Sequence, residues 1–565
     1  MILKKIRLLR KKFSKFNIDG YIVPKNDEYF SEYSKQDRLK IISNFSGSAG
    51  YAVILKKKNY LFVDGRYQIQ AEMQSGNNFK ITKYQRIVNC DLFKGLTLGI
   101  DTKLFTSNQI NNYFGKFNKI KKIDINLIDL ISRKKPISNL PFYSLPDTVV
   151  GESYKSKLNK IRNYLKKNNS DYLFITAPEN ISWLFNIRGK DNPNSPITNC
   201  HLLIEKSKKF YFFCRKKKFL NLIKEKKVKT NQVLDPSKFK ELINNLRNRK
   251  IIIDNKTCSI FFEDILKSKF RIIKKKDPIY YLKSIKNPTE IQNMIQSHIQ
   301  DGIALTKFLY WIKNKNKKII TEFEAQNKLE KFRKNNKTYL SPSFDTIAGS
   351  GPNGAIVHYR ATKSKCRKIG KDDIFLCDSG GQYKYGTTDV TRTICFSKPK
   401  PNIKKIFTLV LKGHIAVATS NLDTHNCGKL IDIKARKFLK KYNLDYDHGT
   451  GHGVGFFLNV HEGPQGISKF NNIKFKEGMI LSNEPGYYKK NSFGIRIENL
   501  VYVRKVKNKL FFENLTLAPI DKDLINLKLL TDNEKNYLFK YNLLVYSKLS
   551  KYLKNDERRW LLSLI

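Results

Sequence analysis

The sequence predicts an α/β (α+β) chain of several domains, and three observations carry that prediction. At 565 residues the chain exceeds a single core, since domains commonly run about 50–250 residues. A strand–turn–hairpin pattern with interleaved helices occurs twice in residues 1–283, which points to two related α/β units. From residue 284 the pattern changes to capped helices followed by short strands and glycine turns, with carboxylates at strand ends. The expected divisions are 1–150, 151–283, 284–520 and a helical C-terminal extension, 521–565.

Residues 4–16 are basic and partly amphipathic, and are read as the first helix. A secretory signal would need a continuous apolar stretch here, and Arg10, Lys11, Lys12 and Lys15 interrupt it. The strand Gly20–Pro24 follows, then Asn44-Phe45-Ser46-Gly47, then strands at Tyr51–Leu55 and 60–63 around a lysine turn. The second unit repeats the order: a strand at 171–176, then Asn186-Ile187-Arg188-Gly189, then strands at 200–204 and Phe210–Phe213. Residues 158–168 read as a helix of this unit.

In the third division Asn287 can cap a helix that has Pro288 at its first position and Glu290 in its first turn. Ile291, Ile295, Ile299 and Ile303 then recur every four residues, predicting one buried face. Thr321-Glu322-Phe323-Glu324 fits a capping box for the next helix. A last strand is expected within 510–519, and the tail beyond it should pack back as helices.

Bulk properties exclude several classes. No stretch approaches the ~18 apolar residues of a membrane span, so a soluble, cytoplasmic chain with no membrane partner is expected. The cysteines at 90, 200, 214, 258, 366, 377, 395 and 427 form no Cys-x-x-Cys pair, which argues for reduced, mostly buried thiols. Net charge is +59, from 108 basic and 49 acidic residues. The basic runs (56–58, 215–218, 274–276, 313–318) are spread along the chain, whereas nucleic-acid binding needs a clustered footprint. No specific nucleic-acid partner is expected.

Two strand–turn–strand units carry the chemistry. The first runs from Ile374 to Asp378, turns at Gly380 and Gly381, and returns through Asp389 to Arg392. The second runs from Met479 to Glu484, turns around Gly486, and returns through Arg496 and Glu498. Each unit puts one carboxylate at the end of an apolar strand and another on its returning partner. Like charges in a buried sheet are costly unless a cation compensates them, so these four carboxylates ask for metal. Between the units lie His448-Gly449-Thr450-Gly451-His452-Gly453 and Val460-His461-Glu462-Gly463-Pro464. The glycines argue against a helix and let the backbone pass close to a site. His358 sits upstream; His201, His298, His414 and His425 have no motif around them and read as structural or exposed.

The ordered set Asp378, Asp389, His452, Glu484, Glu498 resembles the metal ligands of the pita-bread metallopeptidases, which include methionine aminopeptidase, prolidase and Xaa-Pro aminopeptidase. The stretches "SFDTIAGSGPNGAIVHY", "HGTGHGVGFFLNVHEGP" and "SNEPGYY" are most similar to the three-domain cytosolic Xaa-Pro aminopeptidase branch. The likeness extends through "NFSGSAG", "LFVDGRY" and "ISWLFNIRG" to the tail near "ERRWLL". It implies two creatinase-like N-terminal domains, a pita-bread catalytic domain, and hydrolysis of the bond between an N-terminal residue and a following proline. By the same resemblance Asp389 and Glu498 bridge two divalent metal ions, Asp378 chelates one, and His452 with Glu484 the other. One nitrogen and many oxygens suit Mn²⁺, with Co²⁺ and Zn²⁺ as alternatives. A hydroxide shared by two ions about 3.5 Å apart would attack the carbonyl. His358 and His461 match the proton-transfer and intermediate-stabilising imidazoles, and His448 and Arg496 match positions that shape the substrate pocket. Arg66 matches a residue that could reach a neighbouring subunit's site, with an internal salt bridge as the alternative. A homodimer is implied. Prolidase shares the ligand set and is the nearest competitor, but two tandem N-terminal domains favour the aminopeptidase. Non-enzymatic relatives tend to lose ligands that are all present here.

Overall fold

The computed structural model describes residues 2–84, 87, 91–115, 118–132, 138–247, 249–314 and 320–565. Cys90 and positions 315–318 of the last basic run lie outside the described residues. Two compact units are present, Met1–Ile279 and Tyr280–Ile565.

The first unit contains two six-stranded sheets built to one plan. In the first, the spatial order is Lys80–Lys83, Asn59–Val63, Tyr51–Leu55, Gly20–Pro24, Thr97–Asp101, Lys119–Ile123. In the second it is Val233–Leu234, Phe210–Phe213, His201–Glu205, Tyr172–Ile175, Lys250–Ile253, Arg271–Lys274. The three strands read from sequence in each half form an antiparallel meander, and parallel strands extend it on both sides. The duplication is therefore real at the level of topology. Parallel pairing needs a crossover; the helix Ile260–Lys267, for example, joins the parallel strands Lys250–Ile253 and Arg271–Lys274, and its Leu266 packs with Ile251 and Ile253 of the sheet. The first helix is shorter than expected, Ile2–Arg10. Beyond Arg10 the chain tightens to three-residue bonds, Lys12 N–H to Leu9 O at 2.9 Å and Phe13 N–H to Arg10 O at 3.0 Å. The Arg10 guanidinium is drawn to Leu55 O (2.8 Å) and Asn59 Oδ1 (3.0 Å), so tertiary contacts fix where the helix stops.

The second unit opens with the helix Pro288–Asn314. Asn287 Oδ1 accepts from Glu290 N–H at 3.0 Å, and the Glu290 carboxylate accepts from Asn287 N–H at 3.0 Å. The predicted face is displaced, however. Ile291, Ile295, Ile299 and Ile303 are only partly buried. The buried stripe runs through Met294, Ser297, His298, Asp301, Leu305, Phe308 and Ile312. A strict four-residue spacing drifts around a helix of 3.6 residues per turn. The polar members of the true stripe have partners that sequence could not display. Asp301 accepts from Arg333 Nε at 2.8 Å and from Tyr383 OH at 2.8 Å. The Thr321 capping box forms as expected, starting the helix Glu322–Lys334.

Short sheets then alternate with the helices Pro401–Ala418 and Gly428–Lys440. The last strand is Lys509–Asn514, shorter than the stretch proposed for it. The tail forms the helices Asp532–Leu549 and Asn555–Leu562. Leu538, Val545, Leu549 and Leu561 join Ile406, Val410 and Ile415 in one buried cluster, so the tail is part of this unit's core. No helix among the described residues is long and apolar enough to cross a membrane. The seven described cysteines are free, and only Cys366 is not buried.

Candidate metal centre

Asp378 lies near the end of the fully buried strand Ile374–Ser379, opposite Thr391 on the antiparallel strand Val390–Cys395. Glu484 follows the buried strand Ile480–Asn483, and its N–H donates to Thr450 O at 2.8 Å. The other two carboxylates are not within returning strands as expected. Asp389 falls between Gly386–Thr387 and Val390–Cys395, which belong to different sheets. Glu498 falls between Phe493–Arg496 and Asn499–Val506, again in different sheets. A residue at such a crossing escapes the strict alternation of strand side chains, so its carboxylate can turn inward. The two crossings are tied together. Glu498 N–H donates to Thr391 O at 3.2 Å, and Thr391 Oγ1 donates to Glu498 Oε2 at 2.8 Å.

The glycines around His452 allow close approach. A Cβ on Gly451 would lie 1.9 Å from Ser482 O, so only glycine lets Gly451–Gly453 pack against the strand Ile480–Asn483. His452 N–H donates to Ser482 Oγ at 2.9 Å, and Nδ1 is bonded to Gly453 O at 2.9 Å. A carbonyl can only accept, so Nδ1 carries the proton and Nε2 faces the acids. Nε2 lies 3.4 Å from Asp389 Oδ2 and 3.7 Å from Glu484 Oε1. With Nδ1–H fixed on Gly453 O, loss of the Nε2 proton leaves the tautomer that a cation ligand requires. Ligand atoms of Asp389, His452 and Glu498 all fall within 4.8 Å of one another.

The electrostatics have the signature of a cation cradle. Burial, opposed by the Arg496 guanidinium and reinforced by Asp389, pushes the Asp378 carboxyl up to about 6. Burial also raises Glu484, against the pull of His452 and Arg496. Glu498 is driven well above the usual carboxylate range by burial and by Asp389, Asp378 and Glu484. Burial disfavours the His452 imidazolium, but Asp389 and Glu484 outweigh it and lift the ring to about 9. Asp378 Oδ1 is buried without a hydrogen-bond partner among the described residues. Mutually repelling acids, an orphaned carboxylate oxygen and a correctly presented imidazole nitrogen fit divalent cations.

Arg496 is buried and donates to Asp378 Oδ2 at 2.6 Å, to Thr391 Oγ1 at 3.1 Å and to Tyr488 OH at 2.5 Å. The Tyr488 hydroxyl lies 2.9 Å from His448 Nε2, so His448 and Arg496 share one hydrogen-bonded chain. The His461 ring stands edge-on to His452, centroids 4.3 Å apart. His358 follows Val357, whose carbonyl accepts from Arg496 Nη2 at 3.5 Å. Sequence reasoning gave no role to Tyr488 or Thr391, although both lie within the quoted motifs. Arg392, fully buried, donates to Glu498 O at 2.6 Å and to Tyr541 OH at 3.0 Å, which ties the helix Asp532–Leu549 to the backbone of Glu498. Elsewhere, Arg66 pairs with Asp64 at 2.7 Å, the internal salt bridge that was the alternative reading. His201, His298 and His414 are buried. Nδ1 of His298 bonds Met294 O at 2.7 Å, and that of His414 bonds Asn483 O at 3.1 Å. His425 is partly exposed.

Comparison with known proteins adds four matching sequence profiles. Metallopeptidase family M24 matches residues 292–505, and the C-terminal region of that family matches 508–563. Creatinase/prolidase N-terminal domains match 5–130 and 132–290. The chain is 36% identical to a probable Xaa-Pro aminopeptidase P of Laccaria bicolor, over 99% of this chain and 92% of that protein. It is also 36% identical to one from Paracoccidioides brasiliensis, over 99% and 98%. Among solved structures it resembles X-prolyl aminopeptidase from Caenorhabditis elegans, described as a cytosolic enzyme with a di-nuclear active site. The TM-score is 0.92 at 30% identity, covering 100% of this chain and 99% of that one. Prolidase from Pyrococcus furiosus matches with a TM-score of 0.51 at 26% identity, over 63% of this chain and 98% of its own.

Proposed function

This chain belongs to metallopeptidase family M24, and from that premise we propose that it is an Xaa-Pro aminopeptidase, removing an N-terminal residue that precedes proline. The observation that carries the proposal is the cluster of Asp389, Glu484 and Glu498 at His452 Nε2, with Asp378 repelled by Asp389 and Glu484 of the same group. The full-length likeness to an X-prolyl aminopeptidase supports the aminopeptidase reading, because the prolidase match leaves over a third of the chain uncovered. Under this reading the working divisions are 1–150, 151–283, 284–520 and 521–565.

Asp389 and Glu498 would bridge two ions, with Asp378 completing one site and His452 with Glu484 the other. Mn²⁺ is the proposed metal, Co²⁺ and Zn²⁺ the alternatives. Two such cations supply Lewis acidity, polarising the scissile carbonyl and making water a nucleophile near neutral pH. The chain's own groups do the rest. Arg496 fixes the orientation of Asp378 and, through Tyr488, that of His448; His448 and Arg496 would line the substrate pocket. His461, held against His452, would present an imidazole to the developing oxyanion. His358 would move a proton between solvent and the leaving proline nitrogen. A cytoplasmic homodimer without a specific nucleic-acid or membrane partner completes the proposal. The cytosolic description of the nematode relative supports that location.

Chelator should abolish cleavage of an Xaa-Pro-Yaa peptide, and Mn²⁺ or Co²⁺ should restore it. Full activity in protein shown metal-free by elemental analysis would overturn the reading. The pH dependence has a definite sign. A carboxyl raised from 3.8 to about 6, as Asp378 is, costs the cation-free fold stability as pH rises across that window. A histidine raised from 6.5 to about 9, as His452 is, contributes stability that is lost as pH rises through 9. Both effects weaken the cation-free chain at higher pH, whereas cations bind only deprotonated ligands. Added Mn²⁺ should therefore raise the melting temperature by roughly 5–10 °C at pH 8 and by much less at pH 5. Equal shifts at both pH values would contradict this.

A further inference from the structure

We propose that Glu322 is a positioning residue for His358, acting through the loop that carries it. The inference rests on the assignment of His358 to proton transfer. Between the strands Ile347–Ser350 and Ile374–Ser379 the only named element is the short turn Gly351–Ala355. Long irregular stretches inside a compact domain are uncommon and usually functional, and something must fix this one. Glu322, in the first turn of the helix Glu322–Lys334, is 0% exposed. Its Oε1 accepts from Ser350 N–H at 2.7 Å and Asn353 Nδ2 at 3.0 Å. Its Oε2 accepts from Asn353 Nδ2 at 3.0 Å, Tyr359 OH at 2.7 Å and Arg367 N–H at 2.8 Å. The Glu322 N–H donates in turn to Arg367 O at 3.0 Å.

Two features separate this carboxylate from an ordinary buried acid. None of its described partners is a cationic group, so neutral donors satisfy its charge and its cost of burial is met by geometry alone. Asn353, Tyr359 and Arg367 also belong to the one stretch that contains His358, and Ser350 ends the strand that leads into it, so two partners precede His358 and two follow. The immediate neighbours of His358 are then held by two different anchors. Tyr359 is held by Glu322, and the carbonyl of Val357 is held by Arg496, which also holds Asp378. His358 is thereby referenced both to the helix Glu322–Lys334 and to the acid cluster. Glutamine at position 322 would set an amide N–H against the Arg367 N–H or leave the Ser350 side short of an acceptor, and the loop would shift.

The test is a double-mutant cycle in the metal-loaded full chain, with Glu322→Gln, His358→Ala and the pair, on one Xaa-Pro-Yaa peptide. Displacement of a reacting group by about 1 Å costs up to ~100-fold, so E322Q should lower kcat by roughly 30- to 100-fold. KM and metal content should stay within about twofold. In the H358A background the same substitution should add less than about twofold, because groups acting as one unit are not additive. An equal loss in both backgrounds would overturn the proposal, since Glu322 would then act independently of His358. Normal turnover in H358A alone would overturn it by a different route, and would identify the His358 assignment as the failure. If E322Q does not fold, Tyr359→Phe replaces it in the cycle. It removes one donor, and should lower kcat roughly 3- to 10-fold only while His358 is present.

Discussion

Asp389→Asn should yield a folded chain that retains little metal and cleaves Xaa-Pro-Yaa peptides at least ~10³-fold more slowly than the parent. The size follows from the position of the side chain. Asp389 lies at a crossing between two sheets, 3.4 Å from His452 Nε2 and grouped with Glu498. A bridging carboxylate contributes charge and an oxygen to each of two cations, and its amide supplies neither the charge nor the second good donor. Losing several kcal/mol of electrostatic stabilisation corresponds to about a thousandfold or more in rate. Elemental analysis alongside turnover separates loss of metal from loss of chemistry. Parent-like metal content and turnover would remove Asp389 from the centre.

His358→Ala should behave differently, and the contrast matters more than either value. Its imidazole is assigned to proton transfer, so turnover should fall by about 10²–10⁴-fold while metal content and melting temperature stay near those of the parent. Small primary amines or imidazole in the buffer should recover part of the loss, because the defect is a missing proton carrier. Normal turnover, or loss of metal in step with activity, would show that the role is misassigned.

Much of this architecture was legible in the sequence because local rules and tertiary structure agree there. The hairpin strands of both N-terminal sheets fall within a residue or two of their expected limits, since apolar runs bounded by lysine turns have few alternatives. The Thr321 and Asn287 caps were legible for the same reason. Asp378 and Glu484 at the ends of apolar strands could be located by pattern. Asp389 and Glu498 could be named but not placed, because no local signal tells a returning strand from a crossing between sheets. The helix Pro288–Asn314 was misread in its facing. Its buried stripe includes Asp301 and His298, whose suitability for burial depends on Arg333 and Tyr383 or on its own backbone. The carboxylate of Glu322 looked like part of a helix start, and its contacts with Ser350, Asn353, Tyr359 and Arg367 are invisible without the fold.

The central claim, removal of one residue ahead of proline from a chain that continues beyond it, is tested most directly by mass spectrometry of a peptide set. The set comprises Xaa-Pro, Xaa-Pro-Yaa, a longer Xaa-Pro peptide and Xaa-Ala-Yaa, each incubated with the Mn²⁺-loaded chain. A dipeptidase must recognise a free prolyl carboxylate, which demands cationic groups closing the far end of the pocket. An aminopeptidase leaves that end open and closes the space beyond the substrate's amino group. The account predicts release of the first residue from the tripeptide and the longer peptide, with both preferred to the dipeptide and Xaa-Ala-Yaa left largely intact. Cleavage confined to Xaa-Pro would make the enzyme a prolidase, and rapid cleavage of Xaa-Ala-Yaa would contradict proline specificity altogether.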